Sequence, residues 1–165
     1  MSEFLIDGFV FAFRAMGPVI PIAGFFFLGS PDGSSAILGK GAPGFLFDAA
    51  VKFGHILPPD SAITAFGILI LGMLTGLDGS GFAGLPLVGA TAGALGHGNA
   101  TYISMLGAVG QMGSVWSGGG TLIAWSTLVA VAGIAGVSAT DLVKRNFVPV
   151  CVGLVASTIV AVLLW

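Results

Sequence analysis

The chain has 165 residues, of which 56% are hydrophobic and only 7% are charged, and its net charge is −2. Soluble domains carry about 25% charged residues, so this composition predicts an integral membrane protein. It excludes a nucleic-acid-binding surface, which needs clustered positive charge. The single cysteine, Cys151, excludes a disulfide framework, and the 28 glycines indicate closely packed or interrupted helices.

The first predicted span covers residues 8–29. The N-terminus is acidic, with Glu3 and Asp7, whereas a cleaved signal peptide begins with basic residues. We therefore expect this first hydrophobic segment to remain in the protein. Pro18 and Pro21 predict a kink within it, and Arg14 lies near one end, from which its side chain can reach the interface. Residues 30–44, rich in Gly, Ser and Pro, are predicted to form a loop.

Residues 45–56 form a short amphipathic segment. Asp48 and Lys52 are four residues apart and share one helical face, while apolar side chains cover much of the remainder. Twelve residues are too few to cross a bilayer. The segment is therefore predicted to be an interfacial helix that ends before Pro58 and Pro59.

Two apolar helices, 61–77 and 79–95, are predicted to form a helical hairpin over residues 61–96. The turn between them runs from Thr75 to Gly81, and each helix is at or below the length that crosses a bilayer comfortably. The hairpin is either re-entrant, with its tip inside the membrane, or a pair of short spans with an exposed turn. The two interpretations differ in the membrane depth of Asp78.

A broken span is predicted over residues 99–137. No charged side chain occurs between Gly98 and Thr140, yet the middle of this run, from Gly110 to Gly120, is rich in glycine and serine. We predict one half-helix ending near Gly113 and a second beginning at Gly118–Thr121. Unwound backbone at that depth is tolerated only where it lines a cavity or packs inside protein.

The last predicted span covers residues 146–165 and follows a polar connection, residues 138–146. Trp165 is a predicted interface anchor. Lys144 and Arg145, adjacent in this connection, favour a cytoplasmic N-terminus and an external C-terminus by the positive-inside rule. Lys40 and Lys52 lie on the opposite side of this arrangement and oppose that orientation.

The two breaks are the candidate binding sites. Helix N-termini present free N–H groups that bind anions, and no Lys or Arg lies between Lys52 and Lys144 to do so instead. Helix C-termini present carbonyl oxygens, which together with hydroxyl groups suit Na⁺. The predicted substrate-binding residues are Gly79, Ser80, Gly81, Trp116, Ser117, Gly118, Gly119, Gly120 and Thr121. The predicted ion-binding residues are Thr75, Gly76, Asp78, Gly113 and Ser114.

Each of these assignments has a simpler alternative. The glycines could serve only packing and turns, and Trp116 could fill space that they leave rather than form a pocket wall. Asp78 is either a proton or cation site inside the membrane or an ordinary Asp-Gly turn residue. No enzyme is predicted, because Gly76-Leu77-Asp78 departs from the Gly-x-Gly-Asp motif of intramembrane aspartyl proteases and Ser117 lacks a partner base.

The order of elements resembles one inverted-repeat half of an ion-transporter-superfamily carrier. That group includes the divalent anion–sodium symporters and the large membrane subunits of tripartite ATP-independent periplasmic transporters. The resemblance covers residues 8–165 and is carried by the Thr-Gly turn at Thr75, the glycine-serine break around Ser117 and the connection that begins at Ala139. The Ser-Asn-Thr signature of the divalent anion symporters is absent at both breaks, so no particular substrate is implied.

The resemblance implies an all-α membrane domain that acts as half of a secondary transporter. It would move a small organic anion coupled to Na⁺ or H⁺, by an elevator-like motion against a partner half. That partner is a second membrane subunit or another copy in opposite orientation; alternatively, the chain is a fragment of a longer protein. We expect no cofactor besides a coupling Na⁺, and a bacterial or archaeal cytoplasmic membrane. The alternatives are a structural subunit of a membrane complex and a small oligomeric channel.

Overall fold

A computed structural model describes residues 2–17, 19–58, 61–79, 81 and 84–165. The described residues are helical, with no strand among them. In chain order, the helices are α1 (Ser2–Met16), α2 (Val19–Leu28), α3 (Pro31–Leu38), α4 (Phe45–Ile56), α5 (Ala62–Thr75), α6 (Leu85–Leu95), α7 (Ala100–Gly118), α8 (Ser126–Ala135) and α9 (Ala139–Leu164). A 3-10 turn, Gly76–Asp78, follows α5.

The first apolar segment is divided into two short helices instead of forming one kinked span. Helix α1 already begins at Ser2, and Gly17 lies between α1 and α2. The sequence explains the division, because the residue before a proline disfavours helical backbone and Gly17 precedes Pro18, which is outside the described residues.

The predicted loop over residues 30–44 contains a helix, α3, so this prediction was wrong for Pro31–Leu38. The hydroxyl of Ser30 accepts a hydrogen bond from the N–H of Gly33 at 3.1 Å, and Pro31 occupies the first helical position. Serine before proline is a favourable helix start, and this signal outweighs the glycines of the segment. Helix α4 has the predicted bounds, Phe45–Ile56.

The two helices of the predicted hairpin are present, but the connection between them is longer than expected. Helix α6 begins at Leu85 and not at Gly79. Gly79 and Gly81 have φ angles of 78° and 72°, in the left-handed region, so the backbone there cannot start a right-handed helix. Gly79 and Gly81 therefore form part of the turn and do not open a half-helix.

The break in the 99–137 segment also lies later than predicted. Helix α7 starts after Asn99, whose side chain accepts hydrogen bonds from the N–H groups of Thr101 and Tyr102 at 3.1 and 3.2 Å. It continues past Gly113 to Gly118, and non-helical residues 119–125 separate it from α8. Glycine weakens an isolated helix, but packing against α5 supports this one, as tertiary contacts often override propensity.

The predicted polar connection over residues 138–146 belongs to the last helix, so α9 begins at Ala139 and not at residue 146. The hydroxyl of Ser138 accepts a hydrogen bond from the N–H of Asp141 at 3.4 Å and caps the helix. One face of α9 packs on the core through Leu154 and Thr158, which are 4% and 0% exposed. The core itself lies between α5, α6 and α7, and includes Ala65, Ile68, Leu69, Ala92, Leu95, Leu106 and Val109.

Candidate functional site

The turn that follows α5 lies against the C-terminal half of α7. A Cβ atom built on Gly76 would lie 2.3 Å from the carbonyl oxygen of Ser114 and 2.8 Å from Cβ of Ser117. A Cβ on Gly81 would lie 2.9 Å from the same Ser114 oxygen. The turn can approach α7 this closely only because these positions carry no side chain. The structure thus brings residues of both predicted breaks together.

Two fully buried hydroxyl groups join α5, α7 and the turn. Thr75 is 1% exposed and Ser114 is 0% exposed. The Thr75 hydroxyl donates to the Gly72 carbonyl at 2.8 Å and lies 3.4 Å from Oγ of Ser114. The Ser114 hydroxyl donates to the Gly81 carbonyl at 2.9 Å. Buried polar groups are costly unless they are hydrogen-bonded, so these bonds fix the turn on α7.

The start of α8 is attached to the same turn. Ser126, which is 3% exposed, donates a hydrogen bond to the carbonyl oxygen of Gly79. The neighbouring Thr127 hydroxyl donates to the Gly119 carbonyl at 3.0 Å, across the break that precedes α8. These two bonds hold the break between α7 and α8 beside the turn between α5 and α6.

Six oxygen atoms are thus hydrogen-bonded in two groups along the same turn, and together we call them the oxygen cluster. It consists of the hydroxyl oxygens of Thr75, Ser114 and Ser126 and the carbonyl oxygens of Gly72, Gly79 and Gly81. Each hydroxyl keeps lone pairs as well as its proton, so the cluster could present several oxygens to a small cation after hydroxyl rotation. Hard cations take oxygen ligands of this kind.

Several predicted site residues lie at other places in the helices than expected. Gly113 lies inside α7, where a Cβ would be 2.5 Å from the Leu69 carbonyl oxygen, so it is a packing position and not a helix end. Gly118 is the last residue of α7, and Gly119 and Gly120 follow it. Thr121 donates a hydrogen bond back to the carbonyl of Trp116. Gly118–Thr121 therefore close α7 and do not open α8.

Gly120 is confined by both its backbone and its surroundings. Its φ angle is 81°, and a Cβ atom there would lie 1.9 Å from the carbonyl oxygen of Trp125.

Ser117 is 3% exposed, and its hydroxyl makes no hydrogen bond to any residue that the structure describes. Ser80 and the side chain of Asp78 lie outside the described residues. Their roles in substrate and ion binding therefore stay predictions.

Trp116 lines a separate cavity of about 270 Å³ between α7 and α9. Its side chain is 47% exposed. The other lining residues are Met112, Pro149, Val150, Gly153, Leu154 and Ser157. The cavity is apolar apart from Ser157 and shares no residue with the oxygen cluster.

Sequence reasoning missed Ser126, the residue that joins α8 to the turn. The signal was present, because serine and threonine at positions 126 and 127 directly precede an apolar run, as at many helix N-termini. The predicted start of this helix at Thr121 put Ser126 inside the helix, so its position at the helix N-terminus was not recognised. Among the described residues, no group of three His, Cys, Asp or Glu side chains could hold a metal ion. A cation bound at the oxygen cluster would therefore depend on hydroxyl and carbonyl oxygens.

Only α9, among the described helices, is long and apolar enough to cross a membrane by itself. It has 26 residues, and only 11% of its most apolar window is buried within the protein. Helices α5, α6 and α8 are apolar but shorter. Large apolar side chains on α1, α2 and α9 are exposed, as expected for surfaces that face lipid or further protein.

Comparison with known proteins supports the same class. The chain is 40% identical over 168 residues to a protein of Bacillus subtilis (strain 168) named as the uncharacterized membrane protein YhfA. The match covers 99% of this chain and 36% of that relative, so the chain spans about a third of the relative's length. No family model and no solved structure matches. The chain is an α-helical membrane protein.

Proposed function

We propose that the chain forms part of a secondary active transporter that moves a small organic anion coupled to Na⁺ or H⁺. One observation carries this proposal: two interrupted apolar segments meet at the buried oxygen cluster. Membrane carriers use discontinuous helices in this way, with helix ends and unwound backbone turned toward substrate and ions. The architectural resemblance to ion-transporter-superfamily carriers leads to the same proposal.

The oxygen cluster is the proposed cation site. Thr75 of α5, Ser114 of α7 and the carbonyl of Gly81 in the turn come from three different elements, yet their oxygens are linked at 2.9 and 3.4 Å. A small cation would bind the lone pairs of these oxygens after the hydroxyl groups rotate, with their protons retained, and would bridge the oxygens in place of the hydrogen bonds. Its binding would tighten the turn on α7, which is how ion binding could be coupled to a motion of the hairpin.

The proposed anion site comprises Ser117, which lies against Gly76 of the turn, and the N-terminus of α8, which Ser126 attaches to the same turn. Ser117 is a buried residue, and its hydroxyl makes no hydrogen bond to a described residue, so the hydroxyl is available to a ligand. The first N–H groups of α8 add the positive end of a helix dipole. This arrangement needs no basic side chain, in accord with the absence of Lys and Arg between residues 52 and 144. Asp78 and Ser80 remain proposed members of the ion and substrate sites.

Flux into vesicles tests this proposal. The protein, with its partner subunit if it requires one, is reconstituted and supplied with labelled mono- and dicarboxylates under inward Na⁺ or H⁺ gradients. We expect saturable, gradient-dependent uptake. Ser114→Ala should raise the concentration of coupling ion needed for half-maximal uptake about tenfold, which corresponds to loss of one ligand at ~1.4 kcal/mol.

Ser104→Ala is the matched control, because Ser104 is an exposed serine on the same helix that bonds only the Ala100 carbonyl, at 2.8 Å. Its uptake should equal that of the parent. Absence of gradient-dependent flux for all substrates, or an unchanged ion dependence in Ser114→Ala, would contradict the proposal. Conduction that does not saturate would instead indicate a channel.

A structural subunit is the second candidate, and the glycine contacts between α5 and α7 favour it. A Cβ on Gly72 would lie 1.9 Å from the Gly110 carbonyl oxygen, so the two backbones touch. Such contacts explain part of the glycine content by packing alone. In that case Ser114→Ala and Ser117→Ala would leave assembly of the complex intact and no flux would depend on them.

A further inference from the structure

A cavity that carries two opposite charges lies at the start of α9. Its volume is about 470 Å³, within the range of about 300–1,000 Å³ that is typical of small-molecule sites. The residues that line it are Val137, Ser138, Asp141, Leu142 and Arg145. It shares no residue with the oxygen cluster or with the apolar cavity between α7 and α9. The start of α9 is therefore a separate candidate binding site, which we call the α9 cavity.

The two charged side chains of the α9 cavity do not pair with each other. Asp141 and Arg145 are exposed and four residues apart on one helix, a spacing at which an acidic and a basic side chain can form an ion pair. No ion pair joins them in the part of the chain that the structure describes. The cavity thus presents a negative and a positive charge side by side, and a ligand that carries both charges would complement it.

The position of the α9 cavity along the helix indicates its depth in a bilayer. Helix α9 is long and apolar enough to cross a membrane, and no charged side chain follows Arg145 in it. Residues 147–164 rise about 27 Å at about 1.5 Å per residue, close to the hydrocarbon thickness of about 30 Å. When this apolar part fills the hydrocarbon layer, Asp141 and Arg145 lie in the layer of lipid headgroups.

The order of the two charges along α9 matches that of one common headgroup. Arg145 adjoins the apolar part of the helix, and Asp141 lies about 6 Å further out along the axis. In phosphatidylethanolamine, the phosphate is attached to the glycerol, and the ammonium group follows it on the side away from the acyl chains. The phosphate can therefore reach Arg145 while the ammonium group reaches Asp141.

Hydrogen bonding favours this headgroup over other lipids. A guanidinium group binds phosphate oxygens through two parallel N–H donors, and a primary ammonium group offers N–H donors to a carboxylate. The Ser138 hydroxyl oxygen accepts from the N–H of Asp141 at 3.4 Å and keeps a second lone pair for the same ammonium group. The choline headgroup has no N–H donor, and the glycerol headgroup has no positive charge to place against Asp141.

We propose that the α9 cavity binds the headgroup of phosphatidylethanolamine, with the phosphate on Arg145 and the ammonium group on Asp141. The proposal goes beyond the proposed transport function and does not depend on it. It depends on the two unpaired charges, on their order along α9 and on the depth that the apolar part of the helix gives them.

Lipid binding to the unaltered chain tests the headgroup. Native mass spectrometry of the protein in detergent measures the dissociation constants of phosphatidylethanolamine, its monomethyl and dimethyl derivatives and phosphatidylcholine, all with the same acyl chains. Each methyl group removes one N–H donor, whereas the phosphate and the positive charge stay. We expect affinity to fall along the series, about tenfold from the first lipid to the last. Equal affinity for all four lipids would overturn the proposal.

Single substitutions distinguish the two contacts. Asp141→Asn should weaken phosphatidylethanolamine binding until it equals that of phosphatidylcholine, because the ammonium contact is lost. Arg145→Gln should weaken both lipids about tenfold, since both carry the phosphate. Lys144→Gln is the matched control, because it removes the same charge from the neighbouring position, which does not line the cavity. An equal loss in Lys144→Gln and Arg145→Gln would indicate a general attraction to phosphate and would overturn the proposal.

An exchange of the two charges tests their order. The double variant Asp141→Arg with Arg145→Asp keeps the net charge but puts the carboxylate at the depth of the phosphate. It should bind phosphatidylethanolamine no better than phosphatidylcholine. If the double variant keeps the preference of the parent chain, the proposed placement of the headgroup is wrong.

A soluble competitor distinguishes a lipid from a free ligand with the same charges. Glycerophosphoethanolamine carries the same phosphate and ammonium groups without acyl chains. At a concentration equal to that of the lipid, it should leave phosphatidylethanolamine bound, because the acyl chains hold the lipid in the apolar layer around α9. Complete displacement would show that the α9 cavity takes a soluble zwitterion and would overturn the assignment to a lipid.

Discussion

The junction between α5 and α7 and the helix α1 are both apolar, but they meet their surroundings in opposite ways. At the junction, glycines bring backbones into contact and buried hydroxyls are hydrogen-bonded. Helix α1 instead exposes phenylalanines and three charged side chains, those of Glu3, Asp7 and Arg14, to whatever lies outside the chain. In a bilayer, large apolar side chains gain little from leaving lipid, whereas small residues permit the close packing that drives helix association. Small residues should therefore control stability here, and large ones should control contacts with lipid or partners.

The strongest test of this contrast is a bulky side chain at Gly72. Gly72→Leu should destabilise the protein by about 3 kcal/mol, because its Cβ would collide with the Gly110 backbone, which cannot move as a side chain can. Thermal unfolding in detergent, followed by circular dichroism, measures this. Gly107→Leu is the matched control on α7, since nothing lies within 4 Å of a Cβ there. Equal losses of stability in Gly72→Leu and Gly107→Leu would contradict the idea that close backbone contact at the junction controls stability.

Leu154 is a large residue that does reach the core, so it should be an exception to the rule that small residues control stability. Leu154→Ala on α9 should cost about 2 kcal/mol, because Leu154 is 4% exposed and its removal enlarges the apolar cavity beside Trp116. The neighbouring Val155 is 44% exposed, and Val155→Ala should change the unfolding free energy by less than about 0.5 kcal/mol. Similar effects at both positions would mean that α9 has no preferred inner face.

Alanine substitutions at Gly120 and Gly98 distinguish the free-energy cost of steric contact from that of backbone strain. Gly120→Ala should cost about 2 kcal/mol, since it combines a left-handed φ with a collision against the Trp125 carbonyl. Gly98 has a similar φ angle of 84° but open space around its Cβ, so Gly98→Ala should cost only about 1 kcal/mol. The difference between the two unfolding free energies measures how tightly the break before α8 is packed.

The hydroxyls of the junction should contribute less than its glycines. Ser114→Ala should lower stability by about 1 kcal/mol through loss of its bond to the Gly81 carbonyl. Ser104→Ala, which removes an exposed hydroxyl from the same helix, should leave the melting temperature unchanged. A loss at Ser114 much larger than the loss at Gly72 would reverse the order proposed here.

The smallest effect is expected on α1. Phe13→Ala should alter the unfolding free energy by less than about 0.5 kcal/mol, because Phe13 is 72% exposed and lies off the face that holds Asp7 and Arg14. The same unfolding measurement in detergent tests it. A large loss would mean that α1 packs on the rest of the chain far more closely than its exposure indicates.

The sequence by itself determined the membrane class, the helical content and the bounds of α4. Composition and local periodicity decide these features, because they depend on short-range chemistry. It also indicated that the 61–96 and 99–137 segments are interrupted, since glycine and proline act on their immediate neighbours.

Only the tertiary structure decided where those interruptions fall. Packing against α5 keeps α7 helical as far as Gly118, whereas the left-handed angles at Gly79 and Gly81 delay the start of α6 to Leu85. The partners of Ser114 and Ser126 were likewise beyond sequence reasoning, because the oxygens they bond lie 33 and 47 residues away along the chain. Long-range contacts of this kind depend on how helices pack together, and no local pattern encodes them.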